Sequence, residues 1–192
     1  GKTLGYLAPA SLWAERAGGA VWLSTYTKAL QRQLAQATTR LYPDAATRQA
    51  KVVTRKGREN YLCLLNLEDA LQGGFAGRAA VLAQLVARWA AYSADGDMVG
   101  GDLPGWLPTL FRRNGPAALT DRRGECVHAA CPHYRLCFVE KTIRASRRAD
   151  LVVANHALVM TQAAFDGART ARGLKQDGET AALKRIVFDE GH

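Results

Sequence analysis

Residues 20–24 read AVWLS and residues 27–37 read TKALQRQLAQA. The first is a short apolar run, the mark of a buried strand. The second sets Ala29, Leu30, Gln33 and Leu34 at helical spacing. A strand followed at once by a helix is the unit from which parallel sheets are built, and strand signals recur. KVVTRK (51–56), LVVAN (151–155) and IVFDE (186–190) are further β-branched, mostly apolar runs. Strands separated by helical patterns predict an α/β fold, a parallel sheet with flanking helices. Upstream, residues 1–16 predict a helix whose apolar stripe is Leu4, Leu7, Leu12 and Trp13, broken near Pro9. Gly18 and Gly19 then turn the chain into the first strand.

The middle of the chain behaves differently. From about Gly57 to Arg148 the pattern is helix and loop, with no convincing strand. RAAVLAQLVARWAAYS (78–93) predicts an amphipathic helix with Val81, Leu82, Leu85, Val86 and Trp89 on one side. GDMVGGDLPGWLP (96–108) reads as a loop, and so does the polar stretch 167–185, which gives Arg169 and Arg172 no role beyond the surface. The chain is thus expected to hold an α/β layer in two pieces, 1–55 and 148–192, around a mostly helical insert, 56–147.

Composition narrows the function classes. The 192 residues carry 48% apolar and 22% charged side chains, ordinary for a globular protein, with a net charge of +9. That balance, with a pI near 9.7, favours polyanions, nucleic acid first and an anionic membrane surface second. No stretch approaches the roughly 18 unbroken apolar residues of a membrane span. The opening GKTLGYLAPASLWA resembles a secretory leader only weakly, since Gly5 and Pro9 break its apolar run. Four cysteines in a chain this long do not make a disulfide scaffold.

Three of those cysteines crowd into CVHAACPHYRLC (126–137). The spacing is Cys63, sixty-two residues, then Cys126-x4-Cys131-x5-Cys137. Clustered cysteines without a leader point to metal. Four thiolates can hold Zn²⁺ or an iron–sulfur cluster, and spacing leaves both open. His128 and His133 are read as polar neighbours, although either could replace a thiolate in a zinc site. From Arg112 to Arg148 nine basic residues face three acidic ones. Arg135 and Lys141 interleave with Tyr134 and Phe138, a composition that suits a nucleic-acid backbone and its unstacked bases.

The ends of the chain supply a second pattern. Gly1-Lys2-Thr3 matches the tail of the phosphate-binding GxxxxGK[ST] motif. Glycine permits close backbone approach, Lys2 reaches outer phosphates, Thr3 offers a hydroxyl to Mg²⁺, and a helix N-terminus adds its dipole. VFDE ends a strand with two carboxylates, where open α/β sheets bind ligands. Asp189 suits Mg²⁺ and Glu190 suits activation of an attacking water. Each motif is weak alone; together they form two halves of a nucleotide-hydrolysis site.

With these residues in view, nearly the whole chain resembles the ATP-binding motor domain of the DinG/XPD-type iron–sulfur superfamily 2 DNA helicases, closest to the bacterial DinG branch. STYTKALQRQL (24–34) looks like motif Ia, usually STHTKALQEQL. KGRENYLC (56–63) resembles the segment with the first cluster cysteine. Residues 126–159 look like the other three cysteines followed by the family's NHALL segment, and VFDEGH (187–192) is similar to its DEAH box with Gly191 in place of Ala. The resemblance implies a RecA-like P-loop domain interrupted by an iron–sulfur insert.

It further implies that Cys63, Cys126, Cys131 and Cys137 bind a [4Fe–4S] cluster. Gly1, Lys2 and Thr3 would bind ATP, Thr3 and Asp189 Mg²⁺, and Glu190 would activate water. His192 would couple hydrolysis to DNA. Ser24, Thr25, Thr27 and Lys28 would touch the DNA backbone, with Arg135 and Lys141 further contacts. The implied activity is ATP-dependent 5′→3′ unwinding from single-stranded and forked DNA in DNA repair. The protein would act as a cytoplasmic, nucleoid-associated monomer, without membrane contact, that meets single-strand-binding protein.

The phosphate-loop glycines and everything after the DEAH-like box are absent from the chain. The fragment alone is therefore expected to be inactive. The competing reading is a zinc-stabilised nucleic-acid-binding module without ATPase activity. It leaves the pairing of GKT with DEGH without a reason. A repurposed relative with a fused nuclease is a third.

Overall fold

The computed structural model describes residues 2–110, 115–121, 124–172 and 183–189. It divides into two compact units, one formed by Gly1–Lys56 with Thr142–His192 and the other by Gly57–Lys141.

The first unit is an α/β layer. Its strands are β1 (Val21–Thr25), β2 (Val52–Thr54), β3 (Leu151–Asn155) and β4 (Ile186–Phe188), ordered β2-β3-β1-β4 and all parallel. Helix α1 (Lys2–Ala17) leads into β1, α2 (Lys28–Leu41) and α3 (Ala45–Lys51) join β1 to β2, and α9 (His156–Ala171) follows β3. Alternation along the strands sorts the core into two faces. Val21, Leu23, Leu151 and Val153 pack against Leu7, Ala10 and Ala14 of α1 and Leu34 of α2. Trp22, Val152 and Ala154 turn the other way, toward Val53 and toward Val159 of α9. A sheet covered on both faces by helices explains why all five residues of β1 are buried rather than alternating.

Local chemistry sets the helix starts. Thr27 is extended and its hydroxyl accepts the Leu30 amide at 3.1 Å, capping α2. Asp44 caps α3, its Oδ2 accepting from Thr47 Oγ1 at 2.6 Å and from Thr47 N at 2.7 Å, and these two bonds, the hydroxyl's first, hold its carboxyl below the usual range. Asn155 Oδ1 accepts from Leu158 N at 2.8 Å where β3 passes into α9.

Several expectations are corrected. Helix α1 runs unbroken through Pro9. Gly5, four residues back, carries no side chain to crowd the ring, and both residues are exposed, so the carbonyl that loses its donor is on the solvent side. Its buried stripe is Leu7, Ala10 and Ala14, while Leu12 and Trp13 are 55% and 60% exposed. In α2 the buried positions are Gln31, Leu34 and Thr38, and Gln33 faces out. Residues 167–171 continue α9 instead of opening a loop. Residues 173–182 lie outside the described residues, as does the side chain of Arg169; Arg172 is exposed.

The second unit is mostly helical: α4 (Leu64–Asp69), α5 (Arg78–Ala90), α6 (Trp106–Leu110) and α7 (Gly115–Ala118) lie within it, and α8 (Phe138–Ser146) begins in it. Leu82, Ala83 and Val86 bury the inner face of α5, with Leu85 and Trp89 half-buried; Val81 is exposed, contrary to the predicted stripe. The stretch 96–108 is loop only as far as Gly105, because Trp106 opens α6. The Asp102 carboxylate ties that loop to α5 by accepting from Trp89 Nε1 (2.8 Å), Ser93 Oγ (2.7 Å) and Ala94 N (2.9 Å). Gly96 has φ +61° and a Cβ there would collide with the Phe138 ring, so only glycine fits. Among the described residues no helix is long and apolar enough to cross a membrane.

Candidate functional sites

Two groups of side chains stand out, one in each unit. The first lies at the carboxyl edge of the sheet. The chain leaves β1 toward β3 and β2 on one side and takes up β4 on the other, so β1 is the switch point at which open α/β sheets form a ligand crevice. Asp189 follows β4 there. Its amide donates to Ser24 O at 2.9 Å and its Oδ2 accepts from Tyr6 Oη at 3.0 Å.

Tyr6 brings the two ends of the chain together. Helix α1 runs back along the sheet before β1, so its N-terminus rises at the same edge. Thr3 and Tyr6 are three residues apart and share a helix face, about 4.5 Å apart along the axis. Thr3, half-buried, therefore belongs to the face that meets Asp189. Gly1, Glu190, Gly191, His192 and the side chain of Lys2 lie outside the described residues.

The predicted DNA-contact residues are distributed unevenly. Ser24 and Thr25 are fully buried. The Ser24 hydroxyl shares a 2.6 Å hydrogen bond with His156 Nδ1, and Thr25 Oγ1 donates to Thr27 O at 3.4 Å. Thr27 is exposed but its hydroxyl is the α2 cap. The side chain of Lys28 lies outside the described residues. Sequence reasoning missed Tyr6 and His156. The signal for His156 was the Asn155-His156 pair, a capping residue opening a helix directly after a strand. Tyr6 had no local signal.

The second group surrounds the cysteines. All four are free and half-buried, and all belong to Gly57–Lys141. Cys63 precedes α4, its amide donating to Leu119 O at 2.8 Å. Burial pushes its thiol up, with the charges of Asp121 and Cys126 adding to the shift and amide donors at Asn66 and Leu65 opposing it. Cys126 Sγ accepts from Arg58 Nη1 at 3.3 Å and from His128 N at 3.4 Å. Arg58 Nη2 also donates to Glu140 Oε1 at 2.9 Å and to His128 Nδ1 at 3.2 Å. Arginine can only donate, so in this bond Nδ1 of His128 is the acceptor. Burial lowers the Arg58 pKa, but the Glu140 bond and the nearby Cys126 and Cys137 more than offset it.

His133 Nε2 donates to Glu68 Oε2 at 2.7 Å, tying the cysteine-rich stretch to α4. Cys137 leads into α8, its carbonyl accepting from Lys141 N. Lys141 Nζ sits 5.3 Å from the centroid of the Phe138 ring, and Arg135 is exposed. The donor set, four unpaired thiols in one unit, has the chemistry of a thiolate-ligated metal group. Its arrangement here does not close around one: among the described residues no three Cys, His, Asp or Glu side chains stand close enough to share an ion.

No family model matches the chain. Curated relatives do. The ATP-dependent DNA helicase YoaA of Haemophilus influenzae is 31% identical across all of this chain, which spans 28% of that protein. A Bacillus subtilis protein named 3′-5′ exonuclease DinG is 30% identical, again over the whole chain and 19% of its own length. The ATP-dependent helicase DinG of Mycobacterium tuberculosis is 34% identical over 88% of the chain and 27% of its own length. The chain thus spans about a quarter of the helicases it matches, and over that span it is similar to the DinG and YoaA proteins.

Proposed function

We propose that the intact protein carrying this chain is an ATP-dependent DNA helicase that moves 5′→3′ on single-stranded DNA and opens duplex ahead of it, in DNA repair. The observation that carries this reading is similarity, over the whole of this chain, to proteins named ATP-dependent DNA helicases. The α/β layer is then the ATP-binding, RecA-like half of a motor. Gly1, Lys2 and Thr3 bind the phosphates at the α1 N-terminus. Thr3 and Asp189 hold Mg²⁺, a role supported by the shared face of Thr3 and Tyr6 and by the Tyr6–Asp189 bond. Glu190 orients and deprotonates the attacking water, and His192 couples hydrolysis to DNA. The remainder of such a motor, including an arginine finger, would come from chain outside these residues. The 192-residue chain alone is therefore expected to give no strand displacement in a forked-duplex assay, and measurable unwinding by it would refute the division of labour.

In the same reading Cys63, Cys126, Cys131 and Cys137 bind a [4Fe–4S] cluster. Bound there, the cluster would supply a cross-link that closes the long loop between Cys63 and Cys126. Its binding requires the thiols to draw together from their present positions and Arg58 to yield or share Cys126. The test is compositional. The intact protein, purified anaerobically, should be brown and contain about four irons and four sulfides per chain. Cys131→Ser should lose them while leaving nucleotide binding in place. A colourless protein with one zinc would overturn the cluster but leave the ATPase motifs standing, and would raise the question of His128 or His133 as a zinc ligand. The exonuclease name of one relative makes a nuclease assay on the same sample worthwhile.

A further inference from the structure

We propose that Tyr26, His156 and Phe188 form a stacking platform for an unpaired base of single-stranded DNA. This rests on the helicase reading above and adds to it a base contact, made by residues that reading leaves without a role. Tyr26 sits on the turn between β1 and α2, and 74% of its surface is exposed. Phe188 ends β4 and is 46% exposed. His156 opens α9 between them, its ring centroid 6.1 Å from that of Tyr26 and 5.7 Å from that of Phe188, tilted by 50° and 48°.

Three features separate this cluster from ordinary packing. Its rings come from the carboxyl ends of three adjacent strands, so the fold assembles it where no local sequence does. The His156 ring is fixed from beneath by the 2.6 Å bond to buried Ser24, which gives the exposed rings a rigid floor. The tyrosine nevertheless leaves most of its surface in water, which a ring recruited only for the core would not do.

A nucleobase is the partner that such a surface fits. Every base offers a π-face, stacking tolerates any sequence, and a chain of net charge +9 draws the attached phosphates. Neighbouring Thr27 presents an exposed turn for the backbone. With Ser24 and Thr25 buried, the aromatic side chain of Tyr26 is the exposed group of this turn best suited to the base itself.

The experiment measures binding of a fluorescent oligothymidylate to the intact protein by anisotropy at several salt concentrations, without ATP. Tyr26→Ala should weaken binding about tenfold, the loss of one stacked base. The slope of log affinity against log salt should stay unchanged, because no phosphate contact is removed. Tyr26→Phe, which keeps the ring, should bind as the wild type does and controls for folding. Unchanged affinity in Tyr26→Ala would overturn the proposal. So would a loss accompanied by a shallower salt slope, which would mark a phosphate contact instead. If Tyr26→Ala weakens ATP binding but not oligonucleotide binding, the base belongs to the nucleotide and the platform is wrong as assigned. If the wild-type protein itself binds no single strand, the helicase reading fails first and the platform with it.

Discussion

Asp189→Asn in the intact protein is expected to lower DNA-stimulated ATP hydrolysis on the order of 10²–10³-fold, the usual cost of deleting one preorganised electrostatic contact to a reacting phosphate or its metal. The geometry explains why the effect should be catalytic and not structural. The amide of Asp189 holds Ser24 O whatever the side chain is. Asparagine keeps the shape and can still accept from Tyr6 through its amide oxygen, so what disappears is the charge. Circular dichroism should be unchanged while the steady-state ATPase rate collapses. Tyr6→Phe, in contrast, keeps the charge and loses only the 3.0 Å bond that orients it. A positioning role predicts a smaller fall in kcat that higher Mg²⁺ partly restores. An Asp189→Asn enzyme within threefold of the wild-type rate would remove this carboxylate from the proposed site.

The second large effect concerns stability. Trp22 is fully buried in the central strand, in register with Val152 on one side and Ile186 on the other. The Arg55 guanidinium lies 5.2 Å from the centroid of its ring. Trp22→Ala should cost about 3–5 kcal/mol through lost transfer energy and the cavity left behind. That is a large share of the roughly 5–15 kcal/mol that holds a domain folded. It would also leave buried Arg55 without its ring contact. Trp22→Phe should cost far less, because it fills most of the space and removes an indole N–H that has no hydrogen-bond partner among the described residues. Urea melts of the intact protein, followed by far-ultraviolet circular dichroism, would separate the two. Equal midpoints for both variants would show that the ring does not anchor the sheet.

All four strands of the α/β layer could be read from the sequence: β1 and β3 are buried on both faces and read as apolar runs, and the half-buried edge strands β2 and β4 keep short β-branched runs. The start of α2 could be read as well, since a threonine cap acts on its own backbone amides. The buried faces of the helices could not. Leu12 and Trp13 look more core-like than Ala10 and Ala14, yet the small residues face the sheet. A helix packed closely over β1 and β3 has room for methyl groups there, and that spacing is set by elements more than a hundred residues away. The same reason hides Tyr6 on Asp189, Ser24 on His156 and Arg58 on Cys126. The pairing of GKT with DEGH, and the cysteine spacing, name the residue types on which the proposed chemistry rests, and the spacing leaves zinc and an iron–sulfur cluster both open. Tertiary structure decides which hydroxyls are buried, which rings stay exposed and which charge a thiol meets. Those are long-range contacts with no period in the chain to announce them.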